Sequence, residues 1–150
     1  MRGDSPIIVA LDVGDKERAL RLVDELKDLA GGFKVGLELV HRVGLGIIRE
    51  IRERGGYVFY DGKFNDIPHT VAQAARACLP LGVWMLDVHS FGGRKMMEEA
   101  VKAVKEEGEK LGIEPPLVLA ITVLTSLDEE GLREIGIYSN SEELVGRLSL

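Results

Sequence analysis

The chain of 150 residues has one cysteine, Cys78 in AARACL. No internal disulfide can form, and the thiol is expected to be a small buried apolar side chain on a helix. Long apolar runs are missing as well. None approaches the about 20 residues of a membrane-spanning helix, so no membrane association is expected. The amino-terminal MRGDSPIIVALD holds a five-residue apolar run before Asp12, too short for a secretory leader, so a cytoplasmic location is the expectation. Positive charge is in deficit, with 19 Lys and Arg against 25 Asp and Glu and a net charge of −6. That excludes a general nucleic-acid or anionic-membrane surface, and an anionic ligand would need locally placed cations or backbone N–H groups. Familiar chemical fingerprints are absent too. There is no G-x-G-x-x-G after a strand, no G-x-x-x-x-G-K-[ST] and no Cys/His cluster with zinc spacing. Asp61, Lys63 and Asp66 offer no hydroxyl or thiol nucleophile next to a base.

What is present is an alternation of strand-like and helix-like segments. Hydrophobic residues at 45% and charged residues at 29% suit a soluble globular protein, and the length predicts one domain over 1–150. Residues 7–13 (IIVALDV) read as a strand. Residues 15–30 follow as a helix with Ala19, Leu22, Val23, Leu26 and Leu29 on one stripe and Asp15 as N-cap. Residues 32–39 (GFKVGLEL) read as a second strand running into a turn, and 45–56 as a helix ending at Gly55 and Gly56. The pattern repeats as strand 57–63, helix 67–82 with Pro68 in its first turn, strand 83–89, helix 92–112 and strand 116–122. Helices begin again at 126–136 and 141–150. No linker or low-complexity segment interrupts it. Alternating β and α segments predict parallel strands covered by helices, in an open doubly wound sheet or a barrel of eight β/α units. The near-continuous apolar strands fit burial on both faces. About five β/α units use up the chain, which is short of a closed barrel.

Ligands of parallel α/β proteins sit beyond the carboxyl ends of the strands, and the polar residues collect there. The first strand ends at Asp12, the second carries Lys34, and the third ends with Asp61 and Lys63. The fourth ends with Asp87 and His89, and the fifth runs into Thr122, Thr125 and Ser126. Strand alternation points Asp61 and Lys63 the same way, and likewise Asp87 and His89. Burying so many charges together costs several kcal/mol apiece unless they pair, so a purely structural design would not repeat it at five strand ends. Blander readings exist for each. Asp12 could cap the first helix, though Asp15 is better placed. Lys34 could snorkel to solvent, and Asp66 could be the N-cap of the third helix, just ahead of Pro68. Thr70 is a surface residue by composition, and His89 suits a core or a site equally. His41 and His69 read as surface, and Met96, Met97 and Trp84 as core. What remains is an ammonium between carboxylates, suited to delivering a proton beside concentrated negative charge.

The run D-x-K-x-x-D-I-P-x-T (Asp61, Lys63, Asp66, Ile67, Pro68, Thr70) resembles the signature of the orotidine 5′-phosphate decarboxylase family. Its setting is similar as well, with IIVALDVGD, FKVGLEL, DVHSFGGRKMM and ITVLTS in the family's order over nearly the whole chain. The shorter D-x-K-x-x-D is shared with magnesium-dependent sugar-phosphate relatives. The I-P-x-T extension and T-V-L-T-S favour the orotidine enzymes, which need no metal or cofactor.

The resemblance implies a (β/α)8 barrel, of which this chain carries about the first five units. It implies cofactor-free decarboxylation of orotidine 5′-phosphate to uridine 5′-phosphate, the last step of de novo pyrimidine synthesis. Lys63 would be the acid that protonates C6, with Asp61 beside the substrate carboxylate and Asp66 completing the charged network. Lys34 would join that network and contact the ribose, whose hydroxyls Asp12 would bind, and Thr125 would contact the pyrimidine. Asp66, Ile67 and Thr70 would reach into the neighbouring subunit's site, making an obligate homodimer. The family's phosphate-binding arginine and glutamine, from later strands and loops, have no counterpart here. The chain is therefore expected to be a portion of a longer enzyme, folding poorly and turning over negligibly alone. The alternatives are a magnesium-dependent sugar-phosphate decarboxylase or aldolase, and a non-catalytic half-barrel.

Overall fold

Asp15 caps the first helix as expected, its carboxylate accepting the Arg18 N–H at 2.8 Å. The structure is a computed structural model and describes residues 5–149. Its strands are β1 (Ile8–Ala10), β2 (Gly32–Gly36), β3 (Val58–Phe64), β4 (Met85–His89) and β5 (Leu117–Ile121). Its helices are α1 (Lys16–Leu26), α2 (Leu37–Val43), α3 (Gly46–Glu53), α4 (Pro68–Cys78), α5 (Arg94–Leu111), α6 (Glu129–Glu134) and α7 (Ser141–Leu148). Among the described residues no helix is long and apolar enough to cross a membrane.

All neighbouring strands pair in parallel, and the sheet order is β1-β2-β3-β4-β5. A doubly wound sheet reverses its order at a switch point. Here every strand lies beside the next one in the chain, so the winding is single, as in the wall of a (β/α) barrel. Helical stripes cover the sheet: Ala19, Leu20 and Val23 of α1, Ile47, Ile48 and Ile51 of α3, and Met96, Ala100 and Val104 of α5 are buried in one core with Phe33, Val35, Val58 and Leu86. Cys78 is buried, as expected, and its thiol is pushed up to about 12 by that burial.

Several expectations are corrected. The stretch LEL was read as part of the second strand, yet Leu37 opens α2. The strand ends at Gly36, and only Leu39 of α2 is buried, so a short helix with one anchor leaves almost no periodic signal. Asp66 does not cap α4. With Pro68 at the first helical position, the N-cap falls on Ile67, and the Asp66 carboxylate accepts the Ile67 N–H at 2.6 Å instead. Burial on both faces holds for β2 and β4 but not for β1 or β5. Those two strands each have a partner on one side only, and Leu117 is 55% exposed. Trp84 is half-buried rather than core, its ring meeting Tyr57 edge-on at 5.9 Å. Met96 is fully covered, as expected, and Met97 is partly buried against the same core.

Candidate active site

The third strand breaks its own ladder where its charges lie. Tyr60 pairs with Leu86 and Phe64 with Val88, so Asp61, Gly62 and Lys63 stand opposite Asp87 alone. Such a bulge bends the strand and re-aims side chains. Gly62 permits it: a Cβ there would lie 3.0 Å from Phe64 Cε1 and 3.1 Å from Tyr60 Cζ, inside the T-shaped pair those rings form at 5.6 Å. Lys63 then takes φ 47°, the one non-glycine residue with positive φ among the described residues. That conformation is uncommon for a side-chain-bearing residue.

Lys63 Nζ donates to Asp61 Oδ1. Lys34 Nζ reaches Asp61 Oδ2 at 3.2 Å and Asp12 Oδ1 at 3.1 Å. Within one chain the buried Asp61 sits between two ammonium groups, and Lys34 in turn lies between two carboxylates, Asp61 and Asp12. Burial pushes the Asp61 carboxyl up, but hydrogen bonds from Lys63, Asp87 and Lys34 and the Lys63 charge outweigh it and hold it below the usual carboxylate range. For Lys34, burial acts to lower the ammonium, and its bonds to Asp12 and Asp61 more than compensate, leaving it raised. The pairs offset the cost of burying these charges.

Asp87, fully buried on β4, was noticed in the sequence as a strand-end residue but not placed in the site. Its Oδ1 accepts the Lys63 backbone N–H at 2.7 Å. Its Oδ2 is buried with no hydrogen-bond donor aimed at it, and its carboxyl is raised to about 6 by burial and by the neighbouring Asp61. A proton on that oxygen, shared with Asp61, would satisfy both. Strand alternation from His89 was the available signal. His89 does come near Lys63, since burial and then the Lys63 charge lower its imidazole, and its ring lies 5.3 Å from that of Phe91.

The remaining expected residues stand apart. Asp66, Ile67 and Thr70 lie at the start of α4 and are exposed, Ile67 by 66%. Among the described residues no hydrogen bond or ion pair joins them to Asp61 or Lys63. Thr125 is exposed in the turn after β5. No group of three or more His, Cys, Asp or Glu among the described residues is arranged to hold a metal.

Relatives carry this arrangement into context. Orotidine 5′-phosphate decarboxylase of Moorella thermoacetica is 52% identical over 151 residues, matching all of this chain and 60% of its own length. The crystal structure of orotidine 5′-phosphate decarboxylase from Lactobacillus acidophilus superposes with a TM-score of 0.87 at 34% identity, over 97% of this chain and 65% of that one. Orotidine 5′-monophosphate decarboxylase from Methanocaldococcus jannaschii, crystallised with the inhibitor BMP, gives 0.69 at 32% identity, over 95% of this chain and 60% of that one. The chain therefore spans about 60% of the length of the curated relatives it matches. The sequence pattern described as "Orotidine 5'-phosphate decarboxylase / HUMPS family" matches residues 5–149. With singly wound strands, a bulge presenting Asp61 and Lys63, and that match over nearly its whole length, the chain belongs to the orotidine 5′-phosphate decarboxylase / HUMPS family.

Proposed function

We propose that these residues form the decarboxylating end of an orotidine 5′-phosphate decarboxylase active site. The observation that carries the reading is the Lys63 ammonium held on the buried Asp61, with Lys34 bridging Asp61 to Asp12. Loss of CO2 from C6 of the pyrimidine leaves an electron pair with no ring position to delocalise it. Catalysis then depends on fixed charge placed where the anion develops. Lys63 supplies that charge and hands a proton from Nζ to C6 as the C6–carboxylate bond breaks, and the neutral amine regains its proton from water. Asp61 lies beside the departing carboxylate and disfavours its charged form, while holding Lys63 in line. Lys34 and Asp12 face the ribose hydroxyls, and Thr125 faces the pyrimidine. Remote binding energy from the nucleotide's phosphate orients the reacting end.

Asp66, Ile67 and Thr70 serve the site of a second copy in a homodimer. Their exposure, and the lack of any bond from them to Asp61 or Lys63 within one chain, support this. A nucleotide monophosphate is the substrate class, and the reaction places the protein in cytoplasmic pyrimidine synthesis.

The test is Lys63→Ala in the polypeptide at its natural length, with decarboxylation followed by pyrimidine absorbance. Turnover should fall by at least about 100-fold, the scale of a lost general acid, while uridine 5′-phosphate still binds. Near-normal turnover in the variant rejects the acid role. Loss of wild-type activity on adding a chelator rejects the metal-free reading.

A further inference from the structure

We propose that Asp87 is a positioning residue for the decarboxylation: its carboxylate replaces the missing ladder acceptor at the β3 bulge, pins the Lys63 backbone in its left-handed turn and orients Asp61 from behind. This rests on the decarboxylase reading of the same site, and it assigns a part to a residue outside the expected set of site residues.

Three observations converge on it. The β3–β4 register slips so that Asp61, Gly62 and Lys63 stand opposite Asp87 alone. A buried N–H without an acceptor is costly, and Asp87 Oδ1 takes the Lys63 N–H at 2.7 Å. Lys63 holds the one positive-φ backbone conformation of a non-glycine among the described residues, so something must hold it there, and this bond is made at that residue. Finally, Asp87 is fully buried, and its second oxygen is without a donor. A buried carboxyl kept only for packing would be replaced to advantage by an apolar side chain. Here the carboxyl neighbours Asp61, the group that carries both lysines.

The groups acting on the Asp87 charge are Asp61 and Lys63, both from β3. Tyr60 of the same strand feels it, its hydroxyl being raised mainly by burial. From β5, the residue in register is the uncharged Leu119. The protonation of Asp87 therefore couples to the two residues nearest the chemistry. Asparagine at this position keeps the Oδ1 acceptor and offers Asp61 a permanent donor. Valine removes both with similar bulk.

The experiment uses the natural-length polypeptide and two readouts. In kinetics on orotidine 5′-phosphate, Asp87→Val should lose about tenfold or more in kcat, the scale of a reacting group displaced from its line, with KM changed less than about threefold. Asp87→Asn should stay within about threefold of wild type in both. Asp87→Val at wild-type kcat overturns the proposal, and so does Asp87→Asn as impaired as Asp87→Val, because charge rather than the acceptor would then matter. The second readout needs neither turnover nor a folded valine variant. In ligand-free wild type labelled with 15N-lysine, the Lys63 amide should shift with pH about a midpoint near 6, and it should lose that inflection in Asp87→Asn. An amide insensitive to pH from roughly 4 to 8, across the carboxyl and imidazole range, overturns the proposal. If wild type lacks turnover but the amide titrates, the decarboxylase reading fails and the Asp87–Lys63 coupling stands.

Discussion

Lys34→Met removes one ammonium from between two carboxylates while keeping a stem of similar length. Lys34 Nζ lies 3.1 Å from Asp12 Oδ1 and 3.2 Å from Asp61 Oδ2. At an effective dielectric near 20, opposite charges at such a distance attract by about 5 kcal/mol before desolvation is counted. Net values are smaller: exposed pairs give under about 1 kcal/mol, whereas breaking a buried pair costs about 3–5 kcal/mol. The Asp61 side chain is 11% exposed and that of Lys34 25%, which puts the loss at about 1–3 kcal/mol. Its pH window follows from the two shifts. Asp61 is held low in the folded state, so its contribution is present above the ordinary carboxylate value of about 4 and is lost as pH falls through the folded one. Lys34 is held high, so its contribution is present below about 10.4 and is lost as pH rises through its folded value. Urea unfolding of wild type and variant should therefore show the full difference between about pH 4 and 10 and a narrowing gap on either side. A difference under about 0.5 kcal/mol at neutral pH would refute the pairing, since that is the scatter of ordinary surface changes. A gap that stays constant into acid and alkali would assign the loss to packing.

Other expectations are simpler to check. If Asp66 serves the neighbouring site, mixing inactive Lys63→Ala and Asp66→Ala homodimers under exchange conditions should restore up to about a quarter of wild-type turnover, because each hybrid dimer holds one intact site. Mixtures that stay inactive despite exchange would contradict the shared site. Glycines at two positions should respond oppositely. A Cβ at Gly31 would stand 2.1 Å from the Ser5 carbonyl oxygen, and that backbone contact makes Gly31→Ala destabilising by about 1–3 kcal/mol. Gly146 lies within α7 with nothing inside 4 Å of its Cβ position, so Gly146→Ala should stabilise by about 0.5–1 kcal/mol in thermal unfolding. Equal signs for the two would refute the steric account.

The sequence made the alternation of strands and helices legible because the longer helices show a buried stripe and the strands an apolar run. It left open whether the sheet is singly or doubly wound, because spacing between strands does not encode which strands are neighbours in space. Periodicity also missed α2, anchored by Leu39 alone. At the site, alternation paired Asp61 with Lys63 correctly, but for an incomplete reason. The stretch is a bulge rather than a regular strand, and the two meet because Lys63 turns to φ 47°. Nothing in a one-dimensional pattern signals a ladder slip, so the partner that fills it, Asp87, could be seen only as another strand-end charge. Asp66 looked like a cap because an acidic residue ahead of a proline usually is one; the proline set the helix start one residue later than that reading allows.

The sequential strand order has a consequence for how the chain is made. A sheet whose spatial order matches its chain order can grow one β/α unit at a time as the polypeptide leaves the ribosome, each strand finding its neighbour already in place. Loop closures stay short, because no strand has to wait for a distant segment. The charges arrive in the same order. Lys34 appears after Asp12 and can pair with it, Asp61 and Lys63 then appear together, and Asp87 arrives on the next strand to take the Lys63 amide. Asp12 and Asp61 can thus each meet a lysine within one added unit during synthesis, and Asp87 finds its backbone donor already in place.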